Sequence, residues 1–172
     1  DLEHPELITR DYKKKQKRKL TAFITASALT VILGVSGLVC NVMATRVNNN
    51  NYETLVSPSV ATSLEDKVSS YEQAIKIYPN RIEAYTCMLE AYEDEGKFGK
   101  KENDEFLALY NAHKDNFDVT SKEYAELNYK IGMMYFNYYT NDDGSYSFSN
   151  RVQKAYSFFA TNFENKEISS EF

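Results

Sequence analysis

Between Leu20 and Thr45 the chain carries no charged residue, and immediately before this run stand Lys13, Lys14, Lys15, Lys17, Arg18 and Lys19. A helix rises about 1.5 Å per residue, so about 20 apolar residues cross a hydrocarbon layer roughly 30 Å thick. The run is long enough for that. Its two central hydroxyls, Thr30 and Ser36, are tolerable in lipid because each can bond back to its own helix. The sequence predicts a transmembrane helix over 20–45. A cleaved signal peptide is disfavoured by the length of the run.

The flanks set an expected orientation, because short basic segments resist translocation. Those six basic residues immediately precede the run, and only Arg46 follows it before a stretch to Ser63 that carries no further basic residue. Residues 1–19 are therefore expected in the cytoplasm, as a basic juxtamembrane segment, with the C-terminal bulk outside the cell membrane. Basic residues this close to anionic headgroups also favour the surface, by about 1 kcal/mol each. The chain as a whole is acidic, with 20 Lys+Arg against 25 Asp+Glu. Most of the basic excess precedes the span, so nucleic acid is not an expected partner. The two cysteines, Cys40 in the span and Cys87 far beyond it, are not expected to pair. Few cysteines and no Asn-x-Ser/Thr acceptor lean towards a bacterial exported domain. The chain opens on Asp1 and not Met, which suggests a fragment or a processed product.

Residues 46–62 show no periodicity, and Asn48 to Asn51 and Pro58 read as a linker. From Ser63 the pattern becomes helical. Ser63 is placed to cap a helix whose first turn carries Glu65 and Asp66, and Leu64, Val68, Tyr71, Ala74, Ile75 and Tyr78 recur at helical spacing. Pro79 ends it. Ile82, Tyr85, Met88, Leu89 and Tyr92 then share the face of a second helix, closed by Gly96. Phe106, Leu107 and Tyr110 mark a third. Thr120-x-x-Glu123 reads as a capping box for a fourth, and Ala155 and Phe159 lie on a fifth. The expected fold class is all-α, with one transmembrane helix followed by a helical domain over 63–172.

Several of these spacings resemble the tetratricopeptide repeat. Tyr71, Ala74 and Pro79 match its second helix, while Tyr85, Met88, Leu89, Tyr92 and Gly96 match the next first helix. Ile131, Gly132 and Tyr135 match the leucine-glycine-tyrosine core of a further first helix. Lys67 and Leu89 depart from the pattern, standing where alanine and glycine are usual. The resemblance implies two to three degenerate helix pairs and a groove lined largely by first helices. Helix phase then nominates Glu83, Thr86, Glu90, Asn128 and Lys130 as polar partner contacts. On the span, Ala26, Thr30 and Gly34 recur every fourth residue, which marks a candidate homodimer contact between membrane helices.

The search for chemistry is mostly negative. His4 and His113 lack companions at metal-ligand spacing, and no phosphate loop, G-x-S-x-G or H-E-x-x-H is present. The segment from Asn141, "NDDGSYS", has half the look of a calcium loop, but the end positions of such a loop fall on Tyr139 and Asn150, so a turn is the better reading. No catalytic residue, cofactor or metal is expected. The tyrosines are expected in the core rather than along a ligand groove.

The order of the parts, namely "DLEHPELITRDYKKKQKRKL", one span and degenerate repeats, resembles the C-terminal part of membrane serine/threonine protein kinases of Gram-positive bacteria. Leu2, Glu3, His4 and Glu6 would be the remnant of that family's segment after the kinase domain. No H-R-D or D-F-G lies in this chain, so no catalytic residue carries over. The resemblance implies a membrane anchor and an extracellular sensor domain that binds a protein, a peptide or a cell-wall ligand. The competing expectation is a free-standing single-pass repeat protein that scaffolds an envelope or secretion assembly.

Overall fold

The computed structural model describes the backbone of residues 5–57 and 63–164 and the side chains of 12–57 and 63–162. The segment Leu2, Glu3, His4 lies outside the described residues. Among the described residues six α-helices follow one another: α1 (Pro5–Val56), α2 (Leu64–Ile77), α3 (Ile82–Asp94), α4 (Lys100–His113), α5 (Lys122–Tyr138) and α6 (Phe148–Glu164). A short 3-10 turn, Lys114–Asn116, follows α4. Among the described residues there is no strand, only an isolated bridge between Gly99 and Thr140. The chain divides into two compact units, Asp1–Asn48 and Asn49–Phe172.

The first unit is helical wherever it is described. The second is a helical domain with one aromatic-rich core. Tyr52, Tyr85, Tyr92, Phe98, Phe106 and Tyr135 are fully buried. Their rings meet largely edge to face, as quadrupoles prefer: Tyr85 on Phe117 at 5.2 Å and Phe98 on Tyr135 at 5.5 Å between centroids. The expectation that the tyrosines fill the core holds for Tyr71, Tyr85, Tyr92, Tyr110, Tyr124, Tyr135 and Tyr139, whereas Tyr129, Tyr146 and Tyr156 are exposed. In sequence order α2 packs on α3, α3 on both α4 and α5, and α5 most extensively on α6.

The expected linker is shorter than the sequence suggested. Asn48 to Asn51 are helical, and α1 runs on to Val56. The residues just beyond the asparagines are the cause. Tyr52, Leu55 and Val56 fall at i, i+3 and i+4, and Tyr52 and Val56 are buried in the domain core. Arg81 secures this turn. Its guanidinium lies 4.7 Å from the Tyr52 ring and 4.4 Å from the Tyr78 ring, and it donates to Asn49 Oδ1 at 3.3 Å.

The helix boundaries obey local chemistry. Ser63 Oγ accepts from the Asp66 amide at 3.1 Å, so the expected cap of α2 forms. The start of α5 differs from expectation by one residue. Ser121, not Thr120, is the N-cap and accepts from the Tyr124 amide at 3.1 Å. Thr120 is taken by Asp118, whose carboxylate accepts from both its amide and its hydroxyl. Gly96 ends α3 with φ 62°, a left-handed conformation that glycine adopts without a Cβ penalty.

Candidate functional site

Two features of the chain bear on function, and each lies within one unit. The first is the uncharged part of α1. Its side chains are exposed throughout, Phe23 by 70% and Leu33 by 72%. Its threonine hydroxyls are satisfied within the helix. Thr21, Thr25 and Thr30 donate to the carbonyls of Lys17, Thr21 and Ala26 at 2.9, 2.9 and 3.0 Å. That removes the main cost of placing a hydroxyl in hydrocarbon. Ala26, Thr30 and Gly34 are all exposed, and Gly34 has open space where a side chain would project. By length and composition this helix can cross a membrane.

The second feature is the surface between α3 and α5. Glu90 and Lys130 meet there: Lys130 Nζ stands 2.8 Å from Glu90 Oε1 and 3.7 Å from Glu93 Oε2. The lysine stem is mostly covered while both carboxylates remain in solvent. Burial, and next Glu90 and Glu83, push the neighbouring Cys87 thiol up to about 11. Glu83 lies apart from this pair, in a shallow recess shared with Asp118 and Glu123. Thr86 is half-buried, and its hydroxyl bonds the Ile82 carbonyl at 3.4 Å.

Asn128 takes a different place from its four companions. It is fully buried, and its Oδ1 accepts from the Tyr110 hydroxyl at 3.0 Å. A polar contact with an outside partner needs exposure, so Asn128 belongs to the interior. Helix phase misplaced it because α4 and α6 also cover that side of α5, as the contacts of Tyr110 with Asn128 and of Asn162 with the Ala125 carbonyl show. A second buried polar pair, Tyr135 and Asn103, joins α5 to α4. Sequence reading missed both pairs. An asparagine facing tyrosines at helical spacing was the available signal.

The segment from Asn141 closes as a turn. The Asn141 amide donates to the Ser145 carbonyl at 2.8 Å, and Asp143 Oδ1 accepts from the Ser145 amide and hydroxyl at 2.9 and 2.6 Å. Gly144 takes φ 75°. Among the described residues no cluster of three metal-ligating side chains occurs.

Comparison with protein-family models, with curated proteins and with solved structures gives no match. The fold therefore defines the class: among the described residues the chain is all-helical, with one helix long and apolar enough to span a membrane.

Proposed function

We propose that this chain is the membrane anchor and extracellular interaction domain of a receptor-like serine/threonine protein kinase whose catalytic domain lies upstream. The observation that carries the membrane part is the exposed, uncharged stretch of α1 with six basic residues on one side and Arg46 alone on the other. That asymmetry supports a cytoplasmic N-terminal side and an extracellular domain after the span.

A tetratricopeptide-like reading of the domain is supported by its chain of contacts. First helices α3 and α5 pack on each other, and each packs on the helix that comes after it. Close approach at Gly132 supports the α5–α6 pair. Such a domain captures an extended protein or cell-wall ligand. Capture that brings two anchors together raises the effective concentration of two tethered catalytic domains without a new contact between them.

Protease added to intact protoplasts is expected to remove the region after Arg46 and spare the region before Leu20. Protection of the C-terminal domain would overturn the orientation. Sequencing upstream of Asp1 is expected to reveal a kinase domain, and a start codon within a few residues would favour the free-standing scaffold. Charge reversal at Glu83 and Glu90 is expected to impair capture from envelope extracts in a protein that keeps its circular dichroism. Full capture by a folded double variant would place the binding surface elsewhere.

A further inference from the structure

The helices of the domain differ in what they show to water. Exposed positions carry charge on α2 (Glu65, Lys76), α3 (Glu83, Glu90), α4 (Lys101, Asp104) and α5 (Lys122, Glu126). On α6 every exposed position from Phe148 to Thr161 is uncharged. Three of those positions are apolar and lie four residues apart: Phe148, Val152 and Tyr156, exposed by 66%, 40% and 69%. Phe136 of α5 extends the strip, its ring 6.0 Å from that of Phe148. A helix at the edge of a water-exposed domain ordinarily turns a charged face outward. Depletion of charge with aromatic enrichment is the composition of an interface core.

We infer that this face of α6 is a docking surface for a second copy of the chain, packed about a two-fold axis. In a two-fold contact the residues near the axis meet their own copies, so a charge placed there opposes itself. Between Phe148 and Thr161 the outward face of α6 carries no exposed charge, so it can meet itself there without setting like charges together. Aromatic side chains cover about 150–250 Å² each, so the strip with its serine and glutamine flanks offers on the order of 500 Å² per copy. Two copies bury about 1,000 Å² in total, the lower bound for a specific interface. Tethering to one membrane lowers the affinity such a contact requires.

Charge argues against the bilayer itself as the occupant. Helices that lie on anionic membranes present lysine and arginine beside their apolar face. The basic residues of α6 are held by groups of the domain instead, Arg151 also lying 4.0 Å from the centre of the exposed Tyr146 ring. Arg151 donates to the carbonyls of Tyr139 and Asn137 at 2.7 and 2.8 Å, and Lys154 Nζ sits 4.8 Å from the centre of the Tyr139 ring. This surface is distinct from the span face of Ala26, Thr30 and Gly34, and it does not depend on what precedes Asp1.

The chain has no tryptophan, so Tyr156→Trp installs a single fluorescent reporter on the strip. The full chain carrying it is reconstituted in liposomes at increasing chain-to-lipid ratio, with circular dichroism to confirm folding. The emission is expected to shift to shorter wavelength and acrylamide quenching to fall several-fold as the ratio rises. Adding Val152→Glu to the same chain is expected to abolish both changes, whereas Ala108→Glu on exposed α4 leaves them intact. An emission independent of the ratio overturns the inference. So does quenching by brominated lipid at every ratio, which would show the bilayer on this face. A concentration-dependent shift that survives Val152→Glu would place the contact elsewhere and overturns it equally.

Discussion

Gly132 of α5 lies against the ring of Phe159 of α6 so closely that a Cβ at position 132 would overlap three of its ring carbons. The glycine is helical, with no positive φ to explain it. Its role is to leave room for the Phe159 ring against the α5 backbone. In the proposed repeat alignment position 132 matches Leu89 of α3, itself fully buried, and α4 packs on α3 less extensively than α6 does on α5. Gly132→Ala is expected to destabilise the domain by about 1–3 kcal/mol, through overpacking of a site with no spare room. In denaturant melts the loss should shrink when Phe159→Leu is present in the same chain. Strict additivity of the two changes would show that the contact does not carry the effect.

The buried Tyr110–Asn128 pair offers a test of a different kind. Tyr110→Phe removes one oxygen and no bulk. It leaves Asn128 with neither side-chain end paired, since Nδ2 already lacks a protein partner. The expected cost is about 1–3 kcal/mol, the desolvation of a polar group left alone. Changing both partners, with Asn128→Leu beside Tyr110→Phe, is expected to recover much of it. If the single change proves silent, Asn128 finds another partner and its structural role falls.

Glu90 and Lys130 should behave otherwise. Their carboxylate is exposed, so Glu90→Ala is expected to shift stability by less than about 1 kcal/mol in thermal melts. A larger loss would make this bridge a structural element, and partner-capture experiments at Glu90 could not then be read as binding alone.

Alkaline pH should unfold the domain cooperatively. Burial raises the phenols of Tyr85, Tyr92, Tyr110 and Tyr135 above their ordinary value of 10.0, in each case as the largest cause. An acid whose pKa is higher folded than unfolded releases its proton more readily from the unfolded chain. Stability from these groups is therefore full below pH 10 and falls as pH rises beyond it. The Cys87 thiol, with an ordinary value of 9.0 pushed to about 11, starts the same trend earlier. Spectrophotometric titration should show Tyr85, Tyr92, Tyr110 and Tyr135 ionising together with loss of helix. A single smooth titration of all tyrosines near 10 would contradict this.

The span carries one further expectation. Gly34→Leu fills open space on the face that Ala26 and Thr30 share, and it should weaken self-association in a membrane two-hybrid assay. An unchanged signal would remove that face as a contact.

Much of this architecture is written in local pattern. The apolar character of Leu20 to Thr45 adds residue by residue and depends on no distant neighbour, so the candidate span was legible at once. The same holds for the Ser63 cap, the Gly96 stop and the turn around Gly144, each fixed by groups a few residues apart. Periodicity also marked the buried sides of α2, α3 and α5 through Tyr71, Tyr85 and Tyr135. What it could not give was the identity of the covering surface. Tyr52 and Val56 read as linker because Tyr78 and Arg81, far along the chain, complete their environment. Asn128 read as a surface residue because its phase shows which side of α5 it occupies, while the Tyr110 hydroxyl from α4 decides that this side is dry. Nothing in the local pattern around Arg151 and Lys154 shows that carbonyls and rings at the end of α5 hold them. Hydropathy and helix phase are properties of the sequence alone, but burial is a property of two surfaces, and the second is chosen only when the helices pack.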